Sequence, residues 1–344
     1  MKVVFKDTLT GEEIQQANII YNKLADASIS QLVSFPYVLS PANQLKYAVA
    51  MDEDGAMTGY CIILESKLRL PFLKTAQIQF GPVSISTECD IYLVSEIYRH
   101  YKKEGFATLQ IQLRFTESEG EKVTRALAEK FAFYQKEDNK NRCTLHIDLD
   151  QSIEQIQAGF ATVLSKNIRS AINKNVVVRL VSSEEEMKQF AALYMKMGSQ
   201  RGVIHYTEEY ISQLSQFFYS TGNGFLLCAF VDDKMIGGGL FVNQGNMAVY
   251  LIGATDPDSK KIPSSHLVLF EAIKFAKAAG KKIFDMGGIG YYAKPGEQIY
   301  SINQFKENFT KNRVFYTKVL YCDLNPLKKR LFDFWIWLSA LRNR

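Results

Sequence analysis

No run of apolar residues in this sequence reaches the ~18 to 20 that a helix needs to cross a bilayer, so a transmembrane protein is not expected. The five cysteines, Cys61, Cys89, Cys143, Cys228 and Cys322, are scattered and odd in number. No two lie close enough to suggest a metal knuckle or a redox dithiol, and a reducing, cytoplasmic setting fits them best. The four histidines, His100, His146, His205 and His266, share no metal-ligand spacing, and no Gly-x-Ser-x-Gly elbow occurs. A bound metal and a serine-hydrolase site are therefore not expected. Basic residues outnumber acidic ones by only 41 to 36, a net charge of +5, far from the excess of a protein that coats nucleic acid. Met1 to Asp7 alternates apolar and charged residues as a strand does. It lacks the basic start and unbroken apolar core of a signal peptide, so export is not expected. Low-complexity tracts and Pro/Gly/Ser-rich linkers are absent too.

What is present is an ordinary globular composition, 47% hydrophobic, 12% aromatic and 22% charged over 344 residues. That length favours two domains, each able to bury its own core. In the first half, helical spacing runs over Gly11 to Ala27. Strands at Lys46 to Met51 and Gly59 to Leu64 flank the acidic turn Asp52 to Gly55. A helix at Cys89 to Glu104, a strand at Thr108 to Leu113, a helix at Gly120 to Phe131 and a strand at Thr144 to Asp148 follow. The second half begins with helices at Ser152 to Phe160 and Ser165 to Asn173, then a strand at Val176 to Val181. Ser182 and Ser183 cap a helix whose early glutamates suit the positive end of its dipole. A helix at Glu208 to Tyr219 leads to a meander of three strands, Phe225 to Val231, Met235 to Val242 and Met247 to Ile252. A helix at Ser265 to Ala279, closed by Gly280, precedes the strand Lys282 to Met286.

Helices, a three-strand meander, a helix and another strand form the order of a GNAT acyltransferase core, although other α/β folds share it. The expected fold class is α/β (α+β), with two tandem GNAT-like domains of mixed, mainly antiparallel sheets flanked by helices. The expected boundaries are 1–150 and 151–324, with 325–344 as a basic amphipathic C-terminal helix. Gly237-Gly238-Gly239 inside the meander reads as a bulge or a close strand contact rather than a nucleotide loop.

The strongest local signal is Ile283-Phe284-Asp285-Met286-Gly287-Gly288-Ile289-Gly290, an apolar strand ending in an acid and then in glycines. Such glycines let backbone approach a ligand and expose N–H groups to it. Tyr291, Tyr292 and Lys294 prolong the loop, whose length suits binding. Phe305 and Phe309 then fall four apart on one helical face, with Lys306 directed off it. Core packing accounts for the phenylalanines. A lysine at the mouth of a glycine loop can bind phosphate or stabilise an oxyanion.

Phe284-Asp285-Met286-Gly287-Gly288, a variable loop, and then Phe305-Lys306 with Phe309 resemble the C-terminal signature of the FemAB family. Its best-known members transfer amino acids from aminoacyl-tRNA to peptidoglycan precursors. The basic helix Leu164 to Asn175 leading into Val176-Val177-Val178, and Gln200-Arg201-Gly202, are similar to that family as well. The resemblance implies that Lys306 lies near the reacting groups and the acceptor phosphates, and that Arg201 and Tyr250 contact substrate. Asp285 is a second candidate catalytic residue, able to orient the incoming amine or the loop. His205, near Arg201, is a candidate base, and Gly287, Gly288, Tyr292 and Phe305 complete the candidate substrate site. Two departures stand out: Thr310 follows Phe309 where the family often has glycine, and the coiled-coil arm of some members is missing between Arg201 and Thr207.

Ordinary GNAT enzymes present a Gln/Arg-x-x-Gly-x-Gly/Ala loop to the CoA pyrophosphate at a helix N-terminus. Here Lys260-Lys261-Ile262-Pro263-Ser264-Ser265-His266 stands in its place. Lys260, Lys261, Ser264 and Ser265 are candidates for donor phosphate binding, but the glycines for close approach are missing. No tightly bound cofactor is expected, and the donor is either aminoacyl-tRNA or acyl-CoA.

In the last segment, Lys328-Lys329-Arg330 precedes Leu331-Phe332-Asp333-Phe334-Trp335-Ile336-Trp337-Leu338, and Arg342 and Arg344 follow. Basic flanks and tryptophans suit a helix lying in a membrane interface, where it would meet a lipid-linked acceptor at the inner face; packing onto the protein is the alternative. The expected function is transfer of an aminoacyl or acyl group to an amino group of a cell-envelope precursor, a peptidoglycan peptide or an amino sugar. An acyl-CoA-dependent N-acyltransferase of surface polysaccharide synthesis and a non-catalytic membrane-associated binding protein on the same scaffold are the alternatives.

Overall fold

The computed structural model describes residues 1–37, 43–67, 72–135, 142–202 and 205–342. They divide into two compact units, Met1–Arg142 together with Phe315–Arg344, and Cys143–Val314.

The first unit opens with β1 (Lys2–Lys6) and α1 (Gly11–Lys23), whose start is fixed by a capping box between Thr10 and Glu13. Then come β2 (Asn43–Met51), β3 (Met57–Lys67), β4 (Lys74–Ile78), β5 (Val83–Ser84), α2 (Thr87–Lys103), β6 (Thr108–Ile111), α3 (Glu117–Lys130) and β7 (Tyr134–Gln135). Helix α2 buries Cys89, Leu93, Val94, Ile97 and Tyr101, a stripe at helical spacing set against the sheet core of Ala48, Ile63, Ile78, Leu109 and Ile111. Because α2 crosses between β4 and β6, those two strands pair in parallel.

The second unit contains β8 (Cys143–Asp148), α4 (Ile153–Ala158), α5 (Thr162–Asn173), β9 (Val177–Val181), α6 (Glu184–Arg201) and α7 (Glu208–Thr221). The meander β10 (Gly224–Val231), β11 (Lys234–Gln244) and β12 (Met247–Thr255) follows, then α8 (Ser264–Ala278), β13 (Ile283–Asp285), α9 (Gln298–Glu307) and β14 (Arg313–Phe315). Its sheet runs β14-β8-β13-β12-β11-β10-β9. Asp232 and Asp233, both with positive φ, make the two-residue turn between β10 and β11. The triple glycine is a site of close approach, as expected. A Cβ on Gly237 would stand 2.9 Å from the Ser264 hydroxyl of α8, and one on Gly238 would stand 3.0 Å from the Phe190 ring of α6. Successive residues of a strand face opposite sides, so α8 covers one face of the sheet and α6 the other. Phe190, Phe218, Phe241 and Phe284 are fully buried in the core of this unit.

From Phe315 the chain returns to the first unit, where β15 (Leu320–Asp323) pairs antiparallel with β6 and leads into α10 (Pro326–Arg342). The boundaries differ from those expected at 150 and 324. The boundary at 150 puts strand β8 in the first half, yet it pairs antiparallel with β13 of the second unit, with His146 opposite Asp285. Helix α10 groups with the first unit. A strand joins the sheet that supplies its hydrogen-bond partners, and these partners are remote in sequence.

Candidate active site

The site is built where two strands of the second sheet part. Strand β13 pairs in parallel with β12 from Met247↔Ile283 to Val249↔Asp285, then ends, while β12 continues to Thr255. At the fork Gly287 has φ +73°, and a Cβ there would lie 2.6 Å from the Tyr250 carbonyl oxygen. Only glycine allows that turn at that approach. The Asp285 carboxylate is 5% exposed. Its Oδ1 accepts the Gly287 N–H at 2.7 Å and the Thr144 hydroxyl, and its Oδ2 stands 3.5 Å from His146 Nε2.

Beyond the fork, α9 clips the glycine loop from one side. Asn303 is buried and bonds Gly290 twice, accepting its N–H at 3.0 Å and donating to its carbonyl at 2.7 Å. One turn later Lys306 Nζ donates to the Gly288 carbonyl at 2.9 Å and stands 5.8 Å from the centroid of the Tyr250 ring. Phe305 and Phe309 point elsewhere: Phe305 packs on His266 and Phe309 on Phe160. These aromatic contacts fix the rotation of α9, which turns Lys306 inward. The lysine is 8% exposed. Burial pushes its pKa down to about 8, while the Asp285 carboxylate pulls in the opposite direction. A desolvated cation beside a backbone turn can stabilise a carbonyl oxygen that gains negative charge.

The structure thus gathers Lys306, Asp285, Tyr250, Gly287 and Gly288, with Phe305 as an anchor of the helix that carries the lysine. Tyr292 is exposed on the loop beyond. Arg201 is the last residue of α6. His205 is exposed, and its backbone N–H donates to the Tyr194 hydroxyl at 3.4 Å. Lys260 and Lys261 are exposed ahead of α8. Lys260 lines a small cavity of about 110 Å³ with Thr255 and Asp256. Burial pushes the Asp256 carboxyl up, but Lys196, Ser259 and Lys234 outweigh it and hold that carboxyl well below its usual range. Ser265 shares a hydrogen bond with Thr255 at 2.7 Å, whereas the Ser264 hydroxyl is fully buried without a hydrogen-bond partner.

Three residues of this constellation escaped the reading of the sequence. Asn303 had a usable signal, since it sits one helical turn before Lys306 on the side that meets the loop. Thr144 and His146 had none, because Thr144 lies 141 residues from Asp285. Among the described residues, no group of three or more His, Cys, Asp or Glu side chains could hold a metal ion.

Residues 160–300 match the family model described as an acetyltransferase (GNAT) domain. Among solved structures, that of FemX superposes with a TM-score of 0.78 at 14% identity, covering 96% of this chain and 99% of that one. The C-terminal domain of a putative lysylphosphatidylglycerol synthetase from Agrobacterium fabrum gives 0.62 at 12% identity, with 94% of each chain covered. A tandem GNAT protein from the clavulanic acid biosynthesis pathway gives 0.53 at 11% identity, covering 94% and 99%. No curated protein matches the sequence. The fold is that of the tandem GNAT proteins, and the match to the GNAT-domain model falls within its second unit. That fold also matches the one seen in FemX over nearly the whole of both chains.

Proposed function

We propose that this protein transfers an aminoacyl or acyl group to an amino group of a cell-envelope component. The observation that carries the reading is Lys306, a desolvated lysine held at the strand fork against Gly288 and Tyr250. An amine attacking an ester or thioester carbonyl generates an oxyanion, and a fixed cation in a dry site lowers the barrier to it. Tyr250, Gly287 and Gly288 line the approach to that cation, and Asp285 fixes the turn. Arg201, His205 and Tyr292 are proposed to meet the more distant parts of the substrates.

The likeness to FemX, and to a protein named for lysylphosphatidylglycerol synthesis, supports an aminoacyl donor and an envelope acceptor. Helix α10 fits an acceptor held at a lipid surface. Leu327, Leu331, Phe334, Ile336 and Trp337 are all exposed along it, and Lys328, Lys329 and Arg330 lie at its start. Such a helix can lie in the interface without crossing it, and no helix among the described residues is long and apolar enough to cross.

A second reading, N-acylation of an amino sugar by acyl-CoA, is favoured by the acetyltransferase-domain match over 160–300. The segment before α8 speaks against it: no glycine lies between Lys260 and His266 to admit a pyrophosphate. The deciding experiment offers aminoacyl-tRNA and acetyl-CoA separately, with peptidoglycan precursor peptides and amino sugars as acceptors. Transfer by the wild-type protein and its loss in Lys306→Ala support the assignment. Full activity in Lys306→Ala removes the site, and turnover with acetyl-CoA alone establishes the second reading.

A further inference from the structure

Strand β8 carries Thr144 and His146 two residues apart, hence on one face of the sheet, and antiparallel pairing sets His146 opposite Asp285. The backbone of His146 is held on both sides. Its N–H donates to the Asn312 carbonyl at 3.0 Å, and its carbonyl accepts the Thr310 hydroxyl at 3.1 Å. Thr310, the departure from the family signature, therefore acts as a strut under this histidine. In the ring, Nε2 is fully buried without a hydrogen-bond partner, and it faces Asp285 Oδ2 at 3.5 Å, one short closure away from a hydrogen bond. The side chain keeps 12% of its surface exposed, and Nδ1 is not among the buried nitrogens. The imidazole thus has one nitrogen turned to a fixed carboxylate and the other turned outward. A carboxylate that holds one ring nitrogen as N–H leaves the other with a free lone pair.

We propose that His146 is the general base of the transfer reaction, with Asp285 as its positioning residue. This rests on the amine acylation proposed above. The acceptor amine forms a C–N bond to the donor carbonyl carbon, and the proton leaving that nitrogen goes to His146 Nδ1. The tetrahedral intermediate then collapses, the C–O or C–S bond to the donor's carrier breaks, and the departing oxygen or sulfur takes the electron pair and the proton back from His146. No oxidant, metal or further reactant enters.

Asp285 cannot take this part directly. Its Oδ1 is engaged by Gly287 and Thr144, its Oδ2 faces the His146 ring, and it is 5% exposed. Lys306 gives one N–H to the Gly288 carbonyl and serves the oxyanion as a cation, the opposite of a base. His205, the candidate base from the sequence, is exposed, and it meets the Tyr194 hydroxyl through its backbone N–H.

Two measurements test the assignment. The first needs no substrate: ¹⁵N NMR of histidine-labelled protein, assigned with His146→Gln, should show His146 protonated on Nε2 and bare on Nδ1. That preference should be lost in Asp285→Ala. A wild-type ring protonated on Nδ1, or a pattern unchanged in Asp285→Ala, overturns the pairing. The second uses a donor and acceptor pair that the wild-type protein turns over, drawn from aminoacyl-tRNA or acetyl-CoA with a precursor peptide or an amino sugar. His146→Gln should lower kcat about 100-fold with KM within threefold, and added imidazole should partly restore His146→Ala. His146→Gln within threefold of wild-type kcat overturns the proposal. If it does so while Lys306→Ala is inactive, the transfer reading stands and His146 alone falls. If no pair is turned over, the transfer reading fails, and the NMR result still decides the pairing.

Discussion

Replacing Lys306 with methionine removes a charge while keeping side-chain length and most of its volume, so it separates the cost of burying the cation from its use. Between its ordinary 10.5 and about 8 in the folded protein, the shift corresponds to ~3 kcal/mol of unfavourable ionisation near pH 7, at ~1.4 kcal/mol per unit. The variant loses the hydrogen bond to the Gly288 carbonyl, worth roughly 1.5 kcal/mol for a charged donor. That carbonyl belongs to an exposed residue and can turn to water. Lys306→Met is therefore expected to be about 1 to 2 kcal/mol more stable than wild type near pH 7, although inactive. The sign with pH follows from proton counting. The unfolded chain keeps the lysine proton up to 10.5, whereas the folded protein releases it near 8. Between those values the unfolded state binds more protons, so this lysine makes wild-type stability rise with pH through that window. The variant lacks this rise, and its advantage should shrink and then reverse as pH approaches 10. Urea unfolding of both proteins between pH 7 and 10 measures this directly. A variant less stable at pH 7, with a difference flat across the range, would refute the reasoning: the lysine would not be paying for burial.

Two further outcomes follow from single contacts. Gly287→Ala should lose ~1 to 3 kcal/mol through backbone strain alone, since its φ is +73° and its Cβ would lie 2.6 Å from the Tyr250 carbonyl. Transfer should fall with it, and a variant with wild-type melting temperature and rate would show that the turn is not needed. Changing Leu331, Phe334 and Trp337 together to glutamate should abolish co-flotation with anionic vesicles while shifting stability by under ~0.5 kcal/mol per site, because all three are exposed. A wild-type protein that stays at the bottom of the gradient would sink the membrane role of α10.

Much of the site could be read along the chain. The glycine turn after β13 and the Phe305-Lys306-Phe309 spacing are local patterns, and the structure keeps them together. Their mutual orientation was less accessible. From spacing, Lys306 was only a lysine directed off an apolar face, and whether it met solvent or protein depended on how α9 lay against the loop. The packing of Phe305 on His266 and Phe309 on Phe160 settled that. The candidate phosphate loop shows the reverse case. Ser264 and Ser265 looked alike in sequence, yet one hydroxyl is sealed beside Gly237 and the other is bound to Thr255.

Sequence alone determined the elements whose signals lie within a few residues of one another. Among these are the capped start of α6 at Ser183, the Asp232-Asp233 turn of the meander and the close approach at Gly237-Gly238-Gly239. Tertiary structure decided which sheet each strand joined and which side chains met across it. It put β8 beside β13 and so set Thr144 and His146 against Asp285. It also returned the chain from Phe315 to the first unit. The physical reason is that caps, turns and periodicity act through neighbours along the chain. Strand pairing instead satisfies backbone groups with partners far away, and a short strand carries no mark of which partner it will find.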